Sequence, residues 1–310
     1  MNINDSTATA PARCGILGNP SDIYGGKVIS CSVPSLARCE LRISQSNTLP
    51  SDLRLWNAAT KRFPLEHRVE VKWTTEIPRS SGLSGSTALL AATLAAVLTL
   101  RGTEPSLESS EDRTAFAELL RDIERNDAEV MCGFQDAYMI SHGGLQFMDF
   151  AGKHPRNPGP HAQIHALDAE LPFLLITTGV ERLSGSVHGP IADRWIAGDP
   201  VVTSAISTIS SLAEAGLNPL LSADWKEFGK LMNENQSLIA AMGGSGEAVD
   251  RLIDACNRNG ALGAKLAGAG MGGTVIALSE ETGQLESALQ TEGYTRFLRP
   301  RKVPGVTVTK

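Results

Sequence analysis

The sequence predicts a mixed α+β chain of two domains, on three observations. Short strand-like runs crowd the N-terminal end (Arg13 to Leu17, Lys27 to Val33 and Ala37 to Ser44), which suggests antiparallel pairing. Beyond them lie several stretches of helical period and a few isolated apolar runs of strand length. Between the two halves, Gly152 to Ala166 is rich in Pro, Gly and His and reads as a passage between domains. With 310 residues the chain has room for two cores. The expected division is a disordered tail over 1–11, a first domain over 12–168 and a second over 169–310.

Taken in order, the turn cluster Gly18-Asn19-Pro20-Ser21-Asp22 breaks the first strand from the second. Ser51 to Phe63 reads as a helix capped by Ser51, and Arg68 to Thr75 alternates like a strand. Ser86 to Leu100, almost wholly Ala, Leu, Thr and Val, reads as a buried helix. Arg113 to Met131 carries Phe116, Leu119, Leu120 and Ile123 at helical spacing, with Glu124 at the edge of that face. A short helix follows over Asp136 to Ser141, closed by Gly143-Gly144, and then a strand over Leu145 to Phe150. In the second half, Pro172 to Thr178 is a buried strand. Helices are expected over Pro190 to Ala197, Thr203 to Ala215, Ala223 to Met242, Glu247 to Asn259 and Glu280 to Thr291. Short β-like pieces fall at Ala264 to Ala267 and Thr274 to Leu278, and a strand-like piece ends the chain.

Composition narrows the function. Hydrophobic content of 42% and charged content of 20% are those of a soluble globular protein. A net charge of −6 weighs against a general nucleic-acid or anionic-membrane binder. The longest apolar run, Ala88 to Leu100, is too short to span a bilayer, and the N-terminus lacks the apolar core of a secretory signal. Five scattered cysteines without C-x-x-C spacing read as reduced thiols, so a cytoplasmic protein is expected. His161 and His165 share an i, i+4 spacing, but in a proline-rich segment that makes a poor metal site.

The stretch Ile77 to Gly102 organises the rest. A polar, glycine-bearing loop, Pro78 to Gly85, feeds the apolar helix. Such a helix start leaves its first N–H groups unpaired and its positive dipole end exposed, which suits phosphate. On composition alone an ordinary core helix with a polar first turn explains the stretch equally well. Two familiar phosphate motifs fail. Gly25-Gly26-Lys27 is followed by Val28, where the Walker pattern needs a hydroxyl. Gly268-Ala269-Gly270-Met271-Gly272-Gly273 spells G-x-G-x-x-G, but between a helix and a strand, the reverse of the dinucleotide-binding order.

Three separated segments together resemble the GHMP kinases. PARCGILGNPSDIYGG is similar to that family's N-terminal substrate motif, IPRSSGLSGSTA to its phosphate loop, and AKLAGAGMGGTVIAL to its C-terminal glycine motif. The second departs at Ser84-Gly85, where the family usually has Gly-Ser. GFQDAYMISHGGLQFMDF and SVHGPIADRWIAGD point to the sugar 1-kinase branch. The resemblance implies an N-terminal domain like ribosomal protein S5 and a ferredoxin-like C-terminal domain, with the active site between them. It also implies a cytoplasmic Mg-ATP-dependent kinase, monomer or homodimer, acting on the anomeric hydroxyl of a sugar such as a sugar acid. Other sugars (a heptose, an octose, a galactose type) and a non-catalytic binding protein of the same fold remain alternatives, as does the decarboxylase branch.

Residue by residue, the resemblance implies that Gly82, Leu83, Ser84, Gly85, Ser86 and Thr87 wrap the ATP phosphates with backbone amides. Ser86 and Glu124 would hold Mg²⁺, for which a hydroxyl and a carboxylate suffice. Asp136 would be the general base and Arg13 its basic neighbour. Asn19 and Asp22 fall where sugar hydroxyls bind, and Gly268, Gly270 and Gly272 would face both substrates. A substrate carboxylate would call for an arginine; Arg38 and Arg194 are available but indistinguishable from surface cations.

Overall fold

The computed structural model describes residues 5–50, 52–180, 185–268 and 273–309, the stretch 185–188 by its backbone alone. Strands β1 (Asp5–Leu17) and β2 (Lys27–Ile43) open the chain, joined through a 3-10 turn at Ser21–Tyr24. Helix α1 (Leu53–Arg62), strand β3 (Val69–Thr75) and helices α2 (Gly85–Leu100), α3 (Ser110–Asn126) and α4 (Gln135–His142) follow. Strands β4 (Leu145–Asp149), β5 (Gln163–Ala166) and β6 (Phe173–Thr177) come next. Then come helices α5 (Gly185–Ile196), α6 (Pro200–Ala215), α7 (Leu217–Leu221), α8 (Trp225–Ala241) and α9 (Glu247–Arg258). The chain ends with β7 (Gly263–Leu266), β8 (Thr274–Leu278), α10 (Thr282–Thr291), β9 (Phe297–Leu298) and β10 (Thr307–Thr309). No helix among the described residues is long and apolar enough to cross a membrane.

The strands form two antiparallel sheets. One runs β10-β1-β2-β4-β5 with β3 also beside β2; the other runs β7-β8-β6-β9. On the side away from β1, the long strand β2 serves two partners, β4 along Lys27 to Cys31 and β3 along Ala37 to Ile43. The sequence suggested two strands here because Pro34 interrupts the run. Instead the register against β1 slips between Val33 and Leu36, and the bulge carries the proline through without breaking the strand.

Three expectations need correction. Residues 5–11 are not a disordered tail: they form the first half of β1, with Ala8, Ala10 and Ala12 in the core that holds α2 and Ser6 Oγ donating to Ala96 O at 2.9 Å. Small side chains let the helix approach the strand, and the same small, polar residues look unstructured when read alone. The segment 152–166 is not a free passage, since Gln163–Ala166 pairs with β4 and the buried Lys153 Nζ binds Glu118 Oε1 at 2.6 Å. The chain's end returns to the first sheet, where Thr307 to Thr309 pair with Thr7 to Thr9, so the second domain does not keep residues through 310.

Helix α2 is buried on all sides from Thr87 to Thr99, apart from the half-buried Leu89. An all-round apolar helix of this kind belongs in a core. The core around it takes in β1, β2, α1, α3 and α4 and continues to Phe173, Phe228 and Ile276 of the second half. A second core lies among β6 to β8 and helices α5, α6, α9 and α10. Helix α3 begins three residues before its predicted start, because Ser109 and Asp112 form a capping box.

Candidate active site

The loop before α2 has the backbone of an anion cradle. Ser80, Gly82 and Ser84 all have positive φ (51°, 73° and 62°), alternating with residues that do not. Alternation of left- and right-handed residues turns successive N–H groups to one side, a concave nest for anions. Ser84 is the N-cap of α2 yet makes no side-chain capping bond, so the first amides of Gly85, Ser86 and Thr87 are not taken by their own cap. The buried Oγ atoms of Ser81 and Ser84 also lack partners. Gly82 is half-buried, Leu83 is fully buried and Ser86 is exposed. At Gly85 a Cβ would meet Ile77 Cγ2 at 3.3 Å, which ties the helix start to the end of β3's loop.

Arg13, on β1 and only 5% exposed, gathers the site. Its Nε donates to Asp136 Oδ1 at 2.7 Å, its Nη2 lies 2.6 Å from the same oxygen as an ion pair, and its Nη1 donates to Gly82 O at 2.9 Å and to Ala267 O at 3.2 Å. One planar guanidinium thus joins the base candidate, the phosphate loop and the approach to the C-terminal glycine segment. Because both contacts with Asp136 fall on Oδ1, Oδ2 has no partner among the described residues, and the side chain is 23% exposed. Asp136 is the second residue of α4, whose positive end favours a carboxylate.

Glu124, expected at a helix edge, is buried at 2% exposure. Thr87 Oγ1 donates to its Oε1 at 2.8 Å, while Oε2 has no hydrogen-bond partner among the described residues. Burial pushes its carboxyl up to about 7 against the pull of Thr87, and the nearby Asp136 adds to the rise. The Cys132 thiol eases the shift without the geometry of a hydrogen bond, and Arg121, whose guanidinium lies 4.1 Å over the Phe134 ring, does so more weakly. A buried carboxylate oxygen with no donor, one helix away from exposed Ser86, suits a divalent cation that brings its remaining ligands as water and phosphate. No group of three or more His, Cys, Asp or Glu side chains suited to a metal occurs among the described residues.

The raised Glu124 value has a measurable consequence in the metal-free protein. An acid whose folded value exceeds its ordinary 4.5 binds more protons folded than unfolded, so stability falls as pH rises from about 4.5 through about 7. The loss is on the order of 3 kcal/mol, because each tenfold change in proton affinity is worth about 1.4 kcal/mol. In EDTA, the unfolding free energy of the native chain minus that of Glu124→Gln is expected to fall by this amount between those pH values in urea titrations; buried His142, lowered to about 4, titrates with the opposite sign in both proteins and drops out of the difference.

Asn19 and Asp22, expected among the sugar contacts, both lie in hydrogen-bonded networks of the protein. Asn19 is buried with its whole amide engaged: Oδ1 accepts from Lys265 Nζ at 2.6 Å, and Nδ2 donates to Leu266 O and Gly268 O, both at 3.3 Å. Asp22 Oδ2 accepts from the amides of Phe134 and Gln135 at 2.8 and 3.0 Å, which anchors the start of α4 one residue before Asp136. A Cβ at Gly133 would lie 2.2 Å from that oxygen, so glycine is what lets the carboxylate reach the helix. Both residues position the site from within. Gly268 packs against the phosphate loop, its virtual Cβ 2.3 Å from Gly82 O, and Gly273 does the same at 2.6 Å from Ser81 O. Gly270 and Gly272 lie outside the described residues. Arg38 pairs with Glu40 and Arg194 with Asp199 and Met242 O, so neither is poised for a substrate carboxylate. The residue that motif reading passed over is Lys265, fully buried beside Arg13; its place in a strand of only four residues hid it.

A concave loop at a helix start, a buried carboxylate and an arginine-held aspartate thus lie together, and the chain belongs to the GHMP kinases. Residues 53–144 match the family model for the GHMP kinases N terminal domain, and 217–294 match that for GHMP kinases C terminal. Among individual relatives, glucuronokinase 1 of Arabidopsis thaliana is 28% identical, over 94% of this chain and 90% of its own. The mevalonate kinase of Methanothermobacter thermautotrophicus is 25% identical over 88% and 89%. In fold, the chain is similar to Lactococcus lactis galactokinase complexed with galactose, at a TM-score of 0.79 and 17% identity, covering 99% of this chain and 95% of that one. The protein is thus a phosphotransferase with the two-domain α+β fold of that family.

Proposed function

We propose that the chain is a Mg-ATP-dependent sugar kinase that phosphorylates the anomeric C1 hydroxyl of a monosaccharide, with D-glucuronate as the first substrate to try. The observation that carries this reading is the Arg13 fork, which sets Asp136 beside the loop at Gly82. The similarity to glucuronokinase over nearly the whole chain favours the sugar acid, and the galactokinase-like fold is consistent with a sugar acceptor.

In this reading the amides of residues 82–87 hold the triphosphate tail by hydrogen bonds. Mg²⁺, held by Glu124 and Ser86, would neutralise charge on the phosphates. Asp136 Oδ2 takes the proton of the C1 hydroxyl as its oxygen forms a bond to the γ-phosphorus and the bridging bond to ADP breaks. Arg13 keeps Oδ1 occupied, so that Oδ2 is the oxygen turned to the acceptor. Gly268, packed on Gly82, and the glycines that follow would close the site over both substrates.

The test is ADP release with MgATP across a panel of free sugars, sugar acids and mevalonate. D-glucuronate is expected to give the highest kcat/KM, with a product labile to mild acid as anomeric phosphates are. Turnover with a neutral sugar instead would keep the kinase and change the substrate. Turnover with mevalonate alone would overturn the sugar reading.

A further inference from the structure

We infer that Lys265 is a positioning residue for phosphoryl transfer: through Asn19 it fixes the strand leading into the C-terminal glycine segment against the catalytic face of β1. Strand β7 is the edge of its sheet, so the outer groups of its backbone need partners other than a strand. They find them in side chains. On α8, Asn233 Oδ1 accepts from Ala264 N and Gln236 Oε1 from Leu266 N, both at 3.0 Å. The carbonyls of Leu266, Ala267 and Gly268 then turn to the first domain. Leu266 O accepts from Lys265 Nζ at 2.5 Å and from Asn19 Nδ2; Ala267 O accepts from Gly15 N at 2.8 Å and from Arg13 Nη1; Gly268 O accepts from Asn19 Nδ2.

Asn19 is therefore the hinge pin, and Lys265 sets its orientation. With Oδ1 held by the ammonium, Nδ2 has no choice but to face the two carbonyls. The backbone of Asn19 is tied as well, its oxygen accepting from Asn235 Nδ2 at 3.2 Å and the preceding Gly18 amide donating to Asn235 Oδ1 at 2.8 Å. A Cβ on Gly15 would strike Asn19 Cγ at 2.7 Å, so the amide has little room to swing. A fully buried lysine with no carboxylate partner among the described residues carries a desolvation cost; here burial, with Arg13 adding, lowers its ammonium to about 7. No role in touching a substrate accounts for that cost, since Lys265 is 0% exposed. Its effect is to hold Gly268 on Gly82, across the same loop that Arg13 holds to Asp136.

The inference rests on the kinase site described above and not on the identity of the sugar. Lys265→Met is expected to lower kcat at least tenfold, with KM for MgATP and for the acceptor within threefold of the native values, because the groups that would contact both substrates remain. Lys265→Gln, which keeps one donor for Asn19 Oδ1, should retain kcat within about threefold. Asn19→Leu should cost as much as Lys265→Met, and the double variant no more than either alone, since residues acting as one unit are not additive. If the methionine variant does not fold, Asn19→Leu alone carries the test, by a kcat lowered at least tenfold with both KM values kept and by quickened exchange at the Gly15 amide. Independently of turnover, hydrogen exchange at the Gly15 amide should quicken at least tenfold in Lys265→Met. Multiplicative losses in the cycle, a rise in KM with kcat intact, or unchanged Gly15 exchange would each overturn the inference. Failure of every acceptor with the native chain would instead count against the proposed function, leaving the exchange result to decide this one.

Discussion

Asp136→Asn is expected to lower kcat by roughly 10²–10⁴-fold, the range typical of a lost general base, while the affinity for MgATP stays within a few-fold. Asparagine keeps the size of the side chain and one acceptor for the Arg13 fork at Oδ1. It replaces the oxygen that has no partner with an amide nitrogen, which cannot take the acceptor's proton. Nothing in the cradle between residues 82 and 87 depends on that atom, so equilibrium binding of a nucleotide analogue checks that the site is otherwise intact. Wild-type turnover in this variant would remove Asp136 from the mechanism.

Arg13→Met is expected to be nearly as damaging to turnover, by about 10²–10³-fold, and more damaging to the fold. Three hydrogen bonds and an ion-pair contact from one guanidinium disappear together, and Asp136, Gly82 O and Ala267 O each lose a donor. Stranding one member of a buried ion pair costs ~3–5 kcal/mol; the partial exposure of Asp136, 23%, brings the expected loss of unfolding free energy nearer ~2–4 kcal/mol after solvent screening. Arg13→Lys restores the charge but not the fork, so it should recover part of the stability and little of the kcat. Urea unfolding and steady-state kinetics on the two variants separate charge from geometry. Equal kcat in Arg13→Lys and the native chain would show that geometry is not what Arg13 supplies.

Much of this site was legible because its parts sit in distinctive local patterns. The glycine-bearing loop before α2, Asp136 at the start of a short helix and Arg13 in its strand were each placed by motif, and the structure joins loop and aspartate through the one guanidinium of Arg13. What stayed hidden were relations made through space. Asn19 and Asp22 were placed among the sugar contacts by the family resemblance alone; no local pattern says that the Asn19 amide reaches Leu266 O or that Asp22 Oδ2 reaches the start of α4. Glu124 looked like a helix-edge charge, and nothing local says that Thr87 and the end of α3 bury it. The tail expected over 1–11 is a strand for residues 5–11, because its value as Ala-Thr-Ala-Pro-Ala depends on a helix that packs over it from about 80 residues further on. The return of Thr307 to Thr309 to β1 is likewise a long-range pairing that a three-residue segment cannot announce.

The most direct test of the central claim is a crystal structure with Mg²⁺, a non-hydrolysable ATP analogue and the acceptor sugar bound together. The predicted result is a γ-phosphate lying across the amides of residues 82–87, with the acceptor hydroxyl within hydrogen-bond distance of Asp136 Oδ2. A triphosphate seated elsewhere, or an acceptor hydroxyl out of reach of that carboxylate, would contradict it.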